Sequence, residues 1–220
     1  MSPFQLQSPT DLKVDETLFK LAAQIDEFEG YEHPHAARIA TISDEIAKIF
    51  NLAPHDRLSL RQAALVHDLG EKVMNRDYIK NSSFLIEEEK LDLMRHPVIG
   101  EQEAANQGLS RAVQLLVRWH QEWWNGEGYP DGLLREQIPL AARILRVADT
   151  YCALTDNRPH CPAISAADAR KYLTQWAGLE FDPRVVSAFL ALPEETRELA
   201  SFEANQKLSA SSRRAVEVRS

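Results

Sequence analysis

The feature that most limits how this chain can fold is the helical spacing of its apolar residues, which persists along most of its length. In RIATISDEIAKIFNL, residues Ile39, Ile42, Ile46, Ile49 and Phe50 recur at the spacing of one helix face. IPLAARILRVADTYCAL sets Ala141, Ile144, Leu145 and Ala148 on one stripe, with Pro139 near its start. SAADARKYLTQWAG opens on Ser165 with Asp168 three residues on, a capping-box pattern, and closes at Gly178. FDPRVVSAFLAL offers Asp182 as an N-cap and Pro183 as the first helical residue. Asp15 to Glu29 reads as an additional leading helix. No convincing alternating strand and no internal repeat interrupts these segments. The expected fold is all-α, a single helical-bundle domain. With 220 residues, 44% of them apolar, the chain can bury a core of that kind.

Charge narrows the partners. A net charge of −8 argues against a nucleic-acid ligand, which favours a basic face. Two cysteines, Cys152 and Cys161, make no disulfide framework and fit a reducing compartment. The opening MSPFQLQSPTDLKVDE lacks the basic start and apolar run of a secretory signal. No run of eighteen apolar residues marks a membrane span. The expectation is a soluble, cytoplasmic protein that engages no membrane, with a polar, loose tail from about Asn205. A homodimer is left open.

Seven histidines, at 33, 35, 55, 67, 96, 120 and 160, raise the question of which gather. In AALVHDLG, an apolar approach delivers His67 and Asp68 together, and Gly70 reads as the end of that helix. An ionised aspartate is costly to bury unpaired, and a divalent metal would compensate it. A structural His–Asp hydrogen bond near a helix end is the alternative. Asp149, in ILRVADTY, interrupts an apolar stripe one turn after Leu145. It is either a ligand or the partner of Arg143 or Arg146. His35 stands before a well-patterned helix, His96 before Pro97 in MRHPVIG, and His120 at the end of SRAVQLLVRWH. Taken singly, each reads as a satisfied polar residue. Five helix ends that each carry imidazole or carboxylate are hard to explain as packing. Mixed imidazole and carboxylate donors suit first-row metals such as iron, manganese or zinc. An aspartate can bridge two such ions, and a pair about 3.5–4 Å apart suits phosphoester hydrolysis.

Four residues after His120 begins WNGEGYPDG, from Trp124 to Gly132, dense in turn signals: Asn125-Gly126, Gly128, Pro130 and Asp131-Gly132. It reads as a shaped loop. Tyr129, Trp123 and Trp124 serve as its apolar anchors, with packing against neighbouring helices the preferred role of the tryptophans.

These segments together resemble the HD-GYP domain of the HD phosphohydrolase superfamily. HPHAARIA, HDLG, MRHPVIG, HQEWWNGEGYPDGL, IPLAARILRVADTYCALTDNRP and FDPRVV stand in that family's order, from about Tyr31 to Leu192. The resemblance divides the chain into a 1–30 extension with a leading helix, a 31–192 domain of the HD type, and a 193–220 C-terminal helix and tail. It implies a helical fold, a centre of two divalent metal ions (iron or manganese), and hydrolysis of cyclic di-GMP. Carried over by position, His35, His67, Asp68 and Asp149 would hold the first metal. Asp68, His96 and His120 would hold the second, and Asp68, common to both, is the expected catalytic residue. Arg158 is expected to contact a substrate phosphate bidentately. Contact between the GYP loop and a partner signalling domain is also implied.

The chain departs from the family pattern at three places. Gln121 replaces the second of two consecutive histidines, and its neutral amide oxygen is a weaker ligand, so the second metal site is expected to be weak and activity reduced. Glu71 stands where a phosphate-contacting lysine is expected, with Lys72 beside it. Ungapped alignment, the preferred one, keeps Glu71 in that place; a one-residue insertion would give the role to Lys72. After Arg158-Pro159, His160 and Cys161 replace an aromatic and a basic residue. Members with three metals carry a glutamate four residues before the leading histidine. Here that position is Tyr31, so the resemblance implies no third ion.

Overall fold

Apolar stripes close the core where the sequence places them. The structure, a computed structural model, describes residues 16–81, 84–158 and 161–194. Over the described residues the helices are α1 (Glu16–Glu29), α2 (His35–Ile49), α3 (Pro54–Val66), α4 (Leu69–Met74), α5 (Asp77–Asn81) and α6 (Glu87–Leu93). They continue as α7 (His96–Asn106), α8 (Arg111–Trp119), α9 (Leu140–Thr155), α10 (Ala166–Gln175) and α11 (Pro183–Ala191), with a 3₁₀ turn at Arg135–Gln137. Only isolated bridges such as Asn125 with Leu134 are present, and no β-sheet forms among the described residues. No helix among them is long and apolar enough to cross a membrane. The polar tail from Asn205, and His160, lie outside the described residues.

Helix α2 runs through the middle. Ile39, Ile42 and Ile46 are fully buried against α3 and α9, whose Leu60, Ala64, Ile144, Leu145 and Ala148 are buried in turn. Ile49, expected on the same stripe, is 48% exposed, because α2 ends there and its last turn overhangs the core. Helix α1 contributes Leu18, Ala22 and Ile25 to the shared core. It also repairs a missing cap: Pro34 offers α2 no side-chain acceptor, and Asp26 of α1 accepts the Ala36 N–H instead, at 3.1 Å. Burial pushes the Asp26 carboxyl up to about 6, even with His35 and that N–H favouring its ionised form. The caps read at Ser165 and Asp182 are both made, to the N–H groups of Asp168 and Arg184.

Gly70 does not end a helix. Helix α3 stops at Val66, two residues pass, and α4 begins at Leu69 with Gly70 inside it. The glycine is needed for space: a Cβ there would lie 2.0 Å from the His96 carbonyl oxygen and 2.8 Å from the Gly100 nitrogen. Backbones of α4 and α7 therefore touch at Gly70 and Gly100, and this contact carries Asp68 up to His96.

Candidate metal centre

Each histidine of the centre arrives on a helix end. His35 opens α2, His67 and Asp68 fill the break between α3 and α4, His96 opens α7, and His120 follows α8. Asp149 comes from the middle of α9. All four imidazoles are buried to within about 1% of full burial.

A common rule fixes their orientation. His67 Nδ1 bonds the Ala64 carbonyl at 2.9 Å, His96 Nδ1 the Leu93 carbonyl at 2.8 Å, and His120 Nδ1 the Val117 carbonyl at 2.7 Å. In each case the acceptor lies three residues earlier on the preceding turn. His35 differs: its Nδ1 meets Asp156 Oδ2 at 2.8 Å, and Arg38 donates to the other oxygen of Asp156 at 2.6 Å. A carbonyl or carboxylate can only accept, so each Nδ1 carries a proton, and in the neutral imidazole each Nε2 then presents a lone pair.

Those four Nε2 atoms converge. His35 Nε2 and His67 Nε2 lie 3.9 and 3.7 Å from Asp149 Oδ1. His96 Nε2 and His120 Nε2 lie 3.2 Å from each other, and each is 3.3 Å from Asp68 Oδ1. His67 Nε2 and Asp68 Oδ1 are buried with no hydrogen-bond partner. The structural His–Asp hydrogen bond is thus not what holds this pair: Nε2 sits 2.9 Å from Asp68 Oδ2 without the alignment of a donor. Two trios have the mutual spacing of ligands around one ion, His35–His67–Asp149 and Asp68–His96–His120. Orphaned lone pairs facing carboxylates fit divalent metal ions.

Burial would lower His67, but Asp68 and Asp149 outweigh it and push the imidazole well above its usual range, so that without an ion it holds a proton that a metal would replace. Burial would raise the Asp149 carboxyl, but the neighbouring His67 outweighs it and holds the group at about 2. Asp68 is likewise drawn well below the usual range against its burial, chiefly by His67. Burial lowers His96 to about 4, so its imidazole is neutral and free to ligate at neutral pH.

The departures acquire geometry. The Gln121 amide oxygen accepts from Arg146 Nη1. Arg146 also donates from Nη2 to Glu180 at 2.5 Å and stands 3.9 Å from Asp149 Oδ2. A guanidinium thus lies beside the centre, holding the residue at the missing-histidine position. Glu71 Oε1 lies 3.9 Å from His96 Nδ1, and a Glu71 oxygen is within 4.8 Å of Asp68. Lys72, half-buried on the same helix, forms no ion pair among the described residues. Arg158 lies over the Tyr31 ring at 5.1 Å, and Tyr31 stacks on His35 at 3.7 Å and 8°. Stacking therefore places this expected phosphate contact one ring away from the first trio.

The loop after His120 is organised by a residue the sequence reading passed over. Glu122 is buried, and its two oxygens accept the N–H groups of Asp131 and Leu133 at 2.7 and 2.9 Å. Gly128 is obligatory, since a Cβ there would lie 2.2 Å from the Trp123 nitrogen. Trp123 packs edge-on against Trp176, and Arg143 lies over Trp124, in keeping with packing roles. Asp156, Glu122 and Glu29 were not picked out in the sequence; Arg146 was, as a candidate partner of Asp149, from which it stands 3.9 Å. Only Glu122 carried a signal, its place within HQE directly before the turn cluster.

An all-helical bundle whose helix ends deliver inward-facing imidazoles and a His–Asp pair to one point defines the HD phosphohydrolase type. The model of the HD domain family matches residues 21–185, and the chain belongs to that family, as an HD-GYP-like member. It is 35% identical over 178 residues to the cyclic di-GMP phosphodiesterase response regulator RpfG of Xanthomonas campestris, covering 80% of this chain and 47% of that one. A Vibrio cholerae protein named 3'3'-cGAMP-specific phosphodiesterase 3 is 28% identical over 204 residues, 90% of this chain and 44% of the relative. The chain thus spans about half the length of these curated relatives. Among solved structures, a cyclic GMP-AMP phosphodiesterase of V. cholerae superposes with a TM-score of 0.62 at 21% identity, over 84% of this chain and 52% of the other, a likeness of fold.

Proposed function

We propose that this domain is a metal-dependent phosphodiesterase that hydrolyses cyclic di-GMP. The observation that carries the reading is the convergence of four Nε2 lone pairs on two aspartates, each imidazole fixed through its Nδ1 proton. His35, His67, Asp68 and Asp149 would hold one ion, and Asp68, His96 and His120 the other, with iron or manganese suited to these mixed donors. When bound, such a pair supplies a hydroxide at neutral pH and offsets charge on the phosphate. Asp68 would belong to both sets. Arg158, which lies over the Tyr31 ring, would bind a phosphate oxygen. Relatives named as cyclic di-GMP phosphodiesterases support the substrate class. Purified protein supplied with Fe²⁺ or Mn²⁺ should convert cyclic di-GMP to linear product, and absence of turnover with either metal would overturn the proposal.

One observation favours a second reading, a catalytically impaired module that binds nucleotide without cleaving it. Gln121 stands where a second histidine is expected, and its amide oxygen is engaged by Arg146. Saturable binding of cyclic di-GMP with no product over long incubation would select that reading. Relatives named as cGAMP-specific make the cyclic GMP-AMP dinucleotide the competing substrate to include in the same assay.

A further inference from the structure

Beyond the two histidine-bearing trios, a third group of ligand atoms closes on the far side of Asp68. Glu29 comes from the last residue of α1 and Glu71 from the first turn of α4. With Asp68 they place three carboxylate oxygens within 4.8 Å of one another. Glu29 is only 7% exposed, and neither of its oxygens has a hydrogen-bond partner. Among the described residues, neither Glu29 nor Glu71 pairs with a lysine or arginine; the nearest basic atom to Glu71 is His96 Nδ1 at 3.9 Å, already committed to the Leu93 carbonyl.

We propose that Glu29, Asp68 and Glu71 form a third cation site, built from oxygen alone and selective for a hard divalent ion of the Mg²⁺ or Ca²⁺ class. Three carboxylates this close, Glu29 buried and Asp68 and Glu71 mostly so, cannot all stay ionised without a counter-charge. Protons are one solution, and burial together with Asp68 does push Glu29 and Glu71 well above the usual range when no ion is present. A proton shared between carboxyls, however, needs an oxygen–oxygen hydrogen bond, and both oxygens of Glu29 lack one. Oxygens arranged around an ion at about 2.0–2.6 Å lie roughly 3–5 Å apart, which is the spacing found. All-oxygen donors prefer Mg²⁺, Ca²⁺ or Mn²⁺, whereas the imidazole-rich trios prefer softer first-row ions. The site does not use position 31, where Tyr31 is stacked on His35. Instead the glutamate that displaces the motif lysine supplies a ligand: a charge that would repel substrate phosphate becomes one that holds a cation beside it.

The experiment loads the full chain with Fe²⁺, removes excess, and titrates it anaerobically with Mg²⁺ or Ca²⁺ by calorimetry, with metal counted by mass spectrometry. Wild-type protein should take up one further equivalent, with a rise in Tm. Glu71→Gln and Glu29→Gln should each lose that equivalent or weaken it at least tenfold, while the first-loaded metal count stays the same. Glu71→Lys should abolish uptake and raise the Tm of the cation-free protein, because an ammonium replaces the ion. Uptake equal in wild type and both Gln variants, or no uptake by wild type, overturns the third site. If Mg²⁺ or Ca²⁺ binds as expected but no first-row metal is retained, the histidine centre fails and the carboxylate site stands.

Discussion

The two histidine-bearing trios meet at the His67–Asp68 pair, yet different things stand behind them. Behind His35 is a charged relay, Asp156 held by Arg38, and beside Asp149 is the guanidinium of Arg146. Nearest behind His96 and His120 are backbone carbonyls, with Glu71 no closer than 3.9 Å to His96 Nδ1, and Gln121, at the place of the missing histidine, is engaged by Arg146. A carboxylate behind an imidazole raises its basicity, whereas a carbonyl mainly orients it. The first trio is therefore built for affinity. The second depends on the close approach of α4 and α7 at Gly70, and it keeps an open side.

The comparison breaks most completely at Asp68, a member of the second trio that would also complete the first ion's ligands. Asp68→Asn should weaken both sites and lower kcat on cyclic di-GMP by ~10²–10³-fold, the scale seen when one charge-stabilising group is deleted. Steady-state kinetics, with metal counted per chain, checks this; wild-type turnover with full metal content would remove Asp68 from the chemistry. Asp156→Ala should act on one trio alone. Losing the carboxylate behind His35 is expected to weaken the tighter metal by ~10–100-fold and leave the weaker unchanged, as read by chelator competition. Equal weakening at both sites would show that the relay is not specific to the first.

The reverse change sharpens the contrast. Gln121→His alone should gain little, because Arg146 would then face an imidazole. Combined with Arg146→Ala, it frees the position, and the weaker metal should tighten by roughly tenfold, or about 1.4 kcal/mol. Measured affinities that do not move in the double variant would mean that Gln121 is not what leaves the second side open.

The sequence made these trios legible but not what stands behind them, for a physical reason. Ligands sit at helix ends, within short motifs whose neighbours are constrained: His67 and Asp68 are adjacent, and His96 precedes a proline. The helix stripe of Ile39, Ile42 and Ile46 is legible in the same way, through local periodicity. The supporting groups are joined only by folding. Asp156 lies 121 residues from His35, and Arg146 lies 25 from Gln121 and 34 from Glu180. Each is an ordinary charged residue on its own helix. Gly70 was misread because the commonest role of glycine near a helix end is to stop it; its real role is space for the His96 carbonyl, a contact 26 residues away in the chain. Glu29 gave no signal at all, since nothing in its neighbourhood shows that α1 ends against Asp68.

Acid titration separates loss of either trio from loss of the fold. Asp182 caps α11, accepting from the Arg184 N–H at 2.9 Å, and binds Arg143 of α9 at 2.5 Å. Burial would raise its carboxyl, but the hydrogen bonds from Arg184 and Arg143 outweigh that and hold it below the ordinary 3.8. In the unfolded chain the group takes up its proton at higher pH than in the folded one. Its contribution is therefore complete above about pH 4 and fades as pH falls from there through the lowered folded value. Asp182→Asn should cost ~1–3 kcal/mol at neutral pH, the scale of a buried charged hydrogen bond, without altering metal content, because Asp182 touches neither trio. Urea unfolding at a series of pH values should show the two proteins drawing together only at the acid end. If they differ by a constant amount down to pH 2, the Arg143–Asp182 pair is not the titrating link. If metal leaves wild-type protein above pH 4 while its unfolding midpoint holds, the centre fails before the bundle does.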